Sequence, residues 1–503
     1  MADRLSRWIV LCACAALLTG ALAQSTIRIG LAEDPDVLDP DLARTYVGRI
    51  VFASLCDKLF DIDTSAAVVP QLATGYTTSA DGLTVTIDVR GGVKFHDGTD
   101  LDAEAVKYNL DRSVNLPGSN RASELAQLES VTVVDADTVE LHLSTPFSPL
   151  IAQLADRAGM MVSPAAVEAA GDNFGNAPVC AGPFSFVERV SQDRIVLERF
   201  ADYWNADSVL IDRVVFLPIP DSSVRLANLQ SGDLQMIERP APTDLGIMRA
   251  DPNLVIPTTA SLGYQGITIN ETKGGTRTDP LSSDVRVREA FELALDRNVI
   301  NDVVFGGEYL VGNQPVPPTS PWYVTDIPVP ERDLERARAL LAEAGVERMS
   351  LELMVANNPE AIRTGEVIQA LVAEAGFDIT LRATEFATAL DLQDQGQYAA
   401  FPVGWSGRID PDGNIHSFHT CDGGLNESGY CNPEVDDLLN AARAAGTTPE
   451  RYDLYRQALE LYLPDRHIIY LYHTQLFFPH TGAVQGFQAY PDGLIRLQGV
   501  SLN

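Results

Sequence analysis

Basic side chains are scarce in this 503-residue chain. Lysine and arginine number 36 against 69 aspartates and glutamates, a formal net charge of −33. Such a surface repels phosphate backbones, which excludes nucleic acid as a partner. The charge itself reads as a solubilising shell. Long apolar runs are equally rare. Trp8 to Leu18 is almost wholly apolar, yet shorter than the about 20 residues a spanning helix needs. It follows Arg4 and Arg7 and leads to Ala21-Leu22-Ala23, small residues where a signal peptidase reads. Segment 1–23 is therefore expected to be a signal peptide cut before Gln24, leaving a soluble periplasmic chain. Leu11-Cys12-Ala13-Cys14 resembles a lipoprotein processing site, but the apolar core before it is too short.

Motifs of catalysis are missing as well. There is no Gly-rich phosphate loop, no G-x-S-x-G elbow and no H-E-x-x-H helix. Gly404-Trp405-Ser406-Gly407 lacks the elbow's spacing. Asp410 and Asp412 stand too close, on one turn, to define a hydrolase pair. His416 and His419 lie three apart beside Cys421, a soft-metal arrangement in principle, but a cysteine engaged in a bridge cannot ligate. His467, His473 and His480 sit among Ile, Tyr, Leu and Phe and read as structural. The expectation is a protein that is not an enzyme and has no cofactor and no metal. A secreted hydrolase and a carrier of metal or metal chelate are the competing classes.

Cysteine is sparse too. Of six, Cys12 and Cys14 fall in the signal segment, leaving Cys56, Cys180, Cys421 and Cys431. An even number in an oxidising compartment suggests two disulfides, and four cysteines permit three pairings. Cys421 and Cys431 flank the Gly- and Asn-rich run 422–426, so a local bridge is the simplest arrangement, which leaves Cys56 with Cys180.

What the chain does have is apolar content of 46%, enough for large cores and two or three domains. Alternating strands are expected at Thr26–Leu31, Leu83–Val89, Val131–Val134 and Thr138–Leu143, with more at Arg194–Phe200 and Arg213–Pro218. Asp102 is placed to cap a helix. Beyond about residue 270 helices lengthen. Val287 to Val299 forms one apolar stripe, and further helices are expected over Glu331–Ala344, Glu360–Ala375 and Pro449–Leu463. Strands at Ser350–Val355 and Asp378–Arg382 enclose one of these helices, a βαβ unit that implies a partly parallel sheet.

Three groups of segments carry a family resemblance. Leu72-Ala73-Thr74-Gly75-Tyr76 precedes Val93-Lys94-Phe95-His96-Asp97-Gly98 and Ala105 to Leu110. Gly182-Pro183-Phe184 precedes Tyr203-Trp204-Asn205. Ile267-Thr268-Ile269-Asn270 precedes Asp284 to Ala290 and Ala294-Leu295-Asp296-Arg297. In order and spacing these resemble the extracellular solute-binding family that serves ABC importers of peptides, opines, glutathione and nickel. The resemblance implies an α/β, two-lobed binding-protein fold with mixed sheets. Lobe I would comprise 24–66, 184–269 and 483–503, with a small subdomain inserted at 67–183. Lobe II would span 270–482, and the ligand would lie between the lobes.

The same resemblance nominates ligand-binding residues. After Asn358-Pro359, Arg363 stands where relatives hold a ligand carboxylate. After Gly404-Trp405-Ser406-Gly407, relatives carry an Asp that meets an ammonium; here Arg408 occupies that place and Asp410 follows two residues later. A cation there repels ammonium and favours a second acidic group. Trp405 and Ser406 belong to the same turn, and Tyr46 and Tyr264 lie in segments near the implied cleft. The implied function is capture of a small peptide-like or opine-like, carboxylate-rich solute. The implied partners are that ligand and the permease subunits of the importer, with the chain itself a monomer.

Overall fold

The structure is a computed structural model and describes residues 24–503. The signal expected over 1–23 lies outside the described residues. Two sheets organise the molecule. The first has seven strands in the order Phe184–Val190, Arg194–Arg199, Arg213–Pro218, Thr26–Leu31, Met236–Ile237, His480–Thr481 and Leu254–Val255. Thr26–Leu31 runs parallel to both of its neighbours. It alternates as expected, and Ile27, Ile29 and Leu31 are fully buried in the first core.

The second sheet has six strands, in the order Leu310–Val311, Ile468–His473, Tyr264–Ile269, Ala400–Trp405, Met349–Ala356 and Phe377–Thr384. Met349–Ala356 and Phe377–Thr384 pair in parallel across the helix Pro359–Ala373, which is the expected βαβ unit. A four-stranded antiparallel sheet, Ala73–Thr78, Thr84–Val89, Thr138–Leu143 and Leu128–Asp135, forms a smaller unit. The helix Ala103–Asn115 packs on it, and the Asp102 carboxylate accepts the Ala105 N–H as a cap.

Among the described residues the chain passes twice between the two large sheets. Tyr264–Ile269 was expected in the first lobe, but Ile267 and Ile269 bury into the second core and the strand lies between Ile468–His473 and Ala400–Trp405. Gln475–Phe477 was expected in the second lobe, yet it pairs with Thr258–Ala260, and His480–Thr481 joins the first sheet. The chain therefore passes from the first large sheet to the second between Val255 and Tyr264 and returns between His473 and His480, and Thr258–Ala260 pairs with Gln475–Phe477 along the two passages. In the inserted segment, Met160, Val162, Phe174 and Cys180 pack into the first core instead of the small unit's own. The single stripe expected over 287–299 is two helices, Val285–Ala294 and Arg297–Phe305. Leu295 turns extended, and Asp296 caps the second helix through the N–H groups of Asn298 and Val299. The bridges are Cys56–Cys180 and Cys421–Cys431, as the spacing suggested.

Candidate ligand cleft

In open sheets with parallel strands, ligands gather outside the carboxyl ends of those strands. Four such ends carry charged or aromatic residues. In the first sheet, Thr26–Leu31 and Met236–Ile237 deliver Glu33, Glu238 and Arg239. In the second, Met349–Ala356 and Ala400–Trp405, also a parallel pair, deliver Glu360 and the turn Trp405 to Arg408.

The geometry of that turn depends on glycine. Gly407 has φ +83°, and a Cβ there would lie 2.2 Å from the Leu262 carbonyl carbon. A Cβ on Gly413 would come within 2.6 Å of Arg408 Cγ, so that glycine clears a channel for the arginine stem. Asn414 Oδ1 accepts both the Arg408 N–H, at 2.7 Å, and the Trp405 Nε1–H, at 3.0 Å. The Arg408 guanidinium carbon lies 4.5 Å from the Trp405 ring centre, a cation–π contact.

Past the turn, Arg408 reaches the other lobe. Its Nε is 3.6 Å from Asp156 Oδ2 and its Nη2 is 3.9 Å from Glu124 Oε1. Asp156 also pairs with Arg49, Nη2 to Oδ2 at 2.8 Å, and Arg121 pairs with Glu124. Arg157 is beside them and donates Nη1–H to the Ala43 carbonyl at 2.8 Å. Four guanidiniums, Arg49, Arg121, Arg157 and Arg408, thus gather around Asp156 and Glu124, with the Asp492 carboxylate also acting on Arg49. Arg49, Arg121 and Arg157 are nearly fully buried, yet Arg49 Nη1, Arg121 Nε and Arg157 Nε have no hydrogen-bond acceptor among the described residues. Burial would raise the Asp156 carboxyl, but Arg49, then Arg408 and Arg157, hold it well below its ordinary value. Burial, and next the Arg121 charge, push Arg157 down to about 9. Burial also lowers Arg408, against the pull of Asp156. Burial would lower Arg49 too, but Asp156 and then Asp492 raise it, so burial and opposed charges together set these shifts.

The other nominated residues fall on different sides of this site. Tyr46 begins the helix Tyr46–Leu55, with Arg49 and Arg239 guanidinium carbons 5.9 and 4.9 Å from its ring centre. Its hydroxyl donates to the Asp492 carbonyl at 3.3 Å, in space that Gly493 leaves open. Ser406 is exposed on the turn. Arg363 is exposed on the helix Pro359–Ala373, one turn beyond Glu360, and has no hydrogen bond or ion pair among the described residues. Two further nominated residues are engaged within the second lobe. Tyr264 is buried, edge-on to Tyr470 at 4.7 Å, because its side of the strand faces the second lobe's aromatic core. Asp410 is committed to Arg451 through two hydrogen bonds, 2.8 and 2.6 Å. Asp412 is likewise held by Arg443. His416 bonds Asn440, while His419 is buried against His467 and Tyr470. Among the described residues no group of three or more His, Cys, Asp or Glu is arranged to hold a metal ion.

Residues 67–426 match the bacterial extracellular solute-binding proteins, family 5. The chain belongs to that family. A glutathione-binding protein of Salmonella choleraesuis is 30% identical over 488 residues, covering 94% of this chain and 93% of its own. A dipeptide-binding protein of Escherichia coli is 31% identical over 468 residues, 86% of each chain. Among solved structures, the binding protein AgaA of A. tumefacien in complex with agropinic acid superposes with a TM-score of 0.83. It is 25% identical, covering 95% of this chain and 99% of its own. The fold expectation and the family expectation are both met. The protein is a solute-binding component of an ABC importer, and neither the hydrolase nor the metal-carrier reading is favoured. Its family and relatives are transport binding proteins. No helix among the described residues is long and apolar enough to cross a membrane.

Proposed function

We propose that the mature chain, freed of its signal near Ala23, works in the periplasm as a monomer. It captures a small, carboxylate-rich, peptide-like or opine-like solute between two lobes, without nucleic acid, cofactor or catalysis. The lobes are those built on the two large sheets, with the unit based on 67–183 inserted in the first. One observation carries this reading: buried guanidiniums outnumber carboxylates where Arg408 crosses to Arg49, Arg121 and Arg157. An unpaired buried charge is costly, and a ligand carboxylate is the group that offsets it. Relatives named for glutathione and for a complex with agropinic acid bind molecules of that kind. Trp405 walls the pocket, while Ser406, Tyr46 and Arg363 border it.

Calorimetry on the purified protein tests the proposal. Acidic ligands such as glutathione should bind more tightly than a neutral dipeptide. Arg408→Ala should weaken acidic ligands by about 2–3 kcal/mol, roughly 30- to 150-fold, the usual cost of removing one partner from a desolvated charge network. Unchanged affinity for acidic ligands in that variant would sink the reading.

A further inference from the structure

We propose that Asn414 and His473 are positioning residues that join the Trp405–Arg408 turn to the hinge, so that ligand contact at the turn moves the chain on which the lobes pivot. With this cleft taken as the solute site, the two side chains link its occupancy to closure.

The first passage between the large sheets ends at Leu262-Gly263, directly against the turn. The contact is backbone on backbone. A Cβ on Gly263 would lie 1.9 Å from the Trp405 carbonyl oxygen, and one on Gly407 would lie 2.4 Å from the Gly263 nitrogen. Tyr264 then pairs with Trp405, where the strands Tyr264–Ile269 and Ala400–Trp405 meet. Backbones packed this closely leave no slack, so a displacement of one is passed to the other.

Two buried side chains hold successive carbonyls of that passage. Asn414 is 1% exposed and uses its whole amide. Its Oδ1 takes the Arg408 and Trp405 donors, while its Nδ2 donates to the Arg408 carbonyl at 3.1 Å and, more weakly, to the Leu262 carbonyl at 3.4 Å. One side chain thus grips both the turn and the hinge passage. His473 takes the next carbonyl. Its Nδ1 lies 2.7 Å from the Gly263 oxygen, so Nδ1 carries the proton and donates it. His473 is the last residue of Ile468–His473, where the return passage starts. Beside it the Ser261 N–H donates to the Thr474 carbonyl at 2.9 Å, and the Thr474 hydroxyl donates to the Ser261 hydroxyl at 2.9 Å. The two passages are therefore tied together where they enter the second sheet.

The other nitrogen of His473 shows what the ring is there to do. Nε2 is buried and has no hydrogen-bond partner among the described residues. It faces Gly312, where a Cβ would come within 2.6 Å. Burial lowers the pKa to about 4, against the Gly263 hydrogen bond, so the ring is neutral at pH 7 and Nε2 is a bare acceptor. A buried acceptor without a donor is unfavourable, and an apolar side chain would fill the space without it. The bond to Gly263 is what an apolar side chain cannot supply.

Hydrogen exchange on the full-length mature protein tests the link without any ligand. In His473→Leu, exchange should quicken about tenfold over 258–264, the size of one lost hydrogen bond, and by a similar factor over 405–408, to which His473 makes no hydrogen bond. His473→Asn returns a donor near the Nδ1 position and should bring both segments to within about threefold of the wild type. Asn414→Ala, cutting the link from the other side, should quicken 258–264 as well. Loosening confined to 258–264 in His473→Leu, an Asn variant as fast as the Leu variant, or an unchanged 258–264 in Asn414→Ala overturns the proposal. If His473→Leu does not fold, Gly312→Ala, whose methyl drives the ring off Gly263, takes its place with the same two segments read. Glutathione is then the probe of function. At saturation it should slow exchange over 258–264 as well as 405–408 in the wild type, and slowing of the turn alone overturns the link. If glutathione does not bind, the carboxylate reading of the ligand fails, while the ligand-free exchange still decides the roles of Asn414 and His473.

Discussion

Arg408 and Asp410 stand two residues apart, and the structure gives them separate duties. Arg408 points out of its turn towards another lobe's carboxylates. Asp410 points back into its own lobe, where Arg451 takes both oxygens and Tyr455 completes the triad through Arg451 Nη2. Both partners of the Asp410–Arg451 pair are about nine-tenths buried. Asp410→Asn should therefore cost roughly 3 kcal/mol of stability, because it leaves a buried guanidinium without its counter-charge. Thermal unfolding will show that loss, and ligand affinity of the folded fraction should be unchanged. A fall in affinity with intact stability would return Asp410 to the site. The contrast explains a limit of reading residues from sequence. Residue type and the neighbouring turn locate both side chains near the cleft, but only the backbone path decides which one faces it. Tyr264 illustrates the same point: its packing on Tyr470 follows from which face of the strand it occupies, and a one-residue change of register would reverse that face.

Helix Asp412–His419 and the loop after it form an element with its own chemistry. His419 is fully buried, its Nδ1 2.6 Å from His467 Nε2 and its Nε2 2.9 Å from the Tyr470 hydroxyl. It stacks on Tyr462 at 3.9 Å. Burial drives its pKa down to about 3. A histidine whose folded pKa is depressed binds its proton better when unfolded, so stability is lost as pH falls below the unfolded value near 6.5. At pH 5 that loss amounts to about 2 kcal/mol for His419. His419→Gln should flatten the decline in thermal midpoint between pH 7 and pH 5; an unchanged slope would refute the assignment. The adjacent Cys421–Cys431 bridge closes a loop whose interior is already tied by Asn426 to the Thr420 and Tyr430 carbonyls. Replacing both cysteines with serine should cost about 2–3 kcal/mol on chain-entropy grounds. Elements of this kind were readable in advance. Alternating strands, the Asp102 cap, the βαβ unit and the local bridge all leave patterns within a few residues. The guanidinium cluster does not. Arg408 stands out through the turn before it, but Arg49, Arg121 and Arg157 are scattered through the chain, and each reads alone as a solvated charge until the fold assembles them around it.

At the scale of the whole molecule, the lobes touch at more than the ligand site. The Ser148 N–H donates to the Arg443 carbonyl at 2.8 Å, and Arg443 lies 5.5 Å from the Phe147 ring centre. Ile409 of the second lobe packs against the small unit's core. At another rim, Arg249 forms a two-pronged pair with Glu308, Nη2 to Oε2 at 2.8 Å. Among the described residues only two chain passages, between Val255 and Tyr264 and between His473 and His480, connect the large sheets, which is the connectivity of a hinge. A contact between lobes that exists only when they are closed biases the hinge towards closure, and ligand affinity scales with the closed fraction. Arg249–Glu308 is half exposed on the arginine side, so its worth is screened to at most about 1 kcal/mol. Glu308→Gln should then weaken ligand binding about two- to fivefold, through faster dissociation, without touching the cleft. Stopped-flow dissociation and small-angle scattering of the same variant make the check. Release should quicken and the unliganded radius of gyration should rise; a loss of affinity with neither change would place the effect in the cleft and refute the rim as a latch.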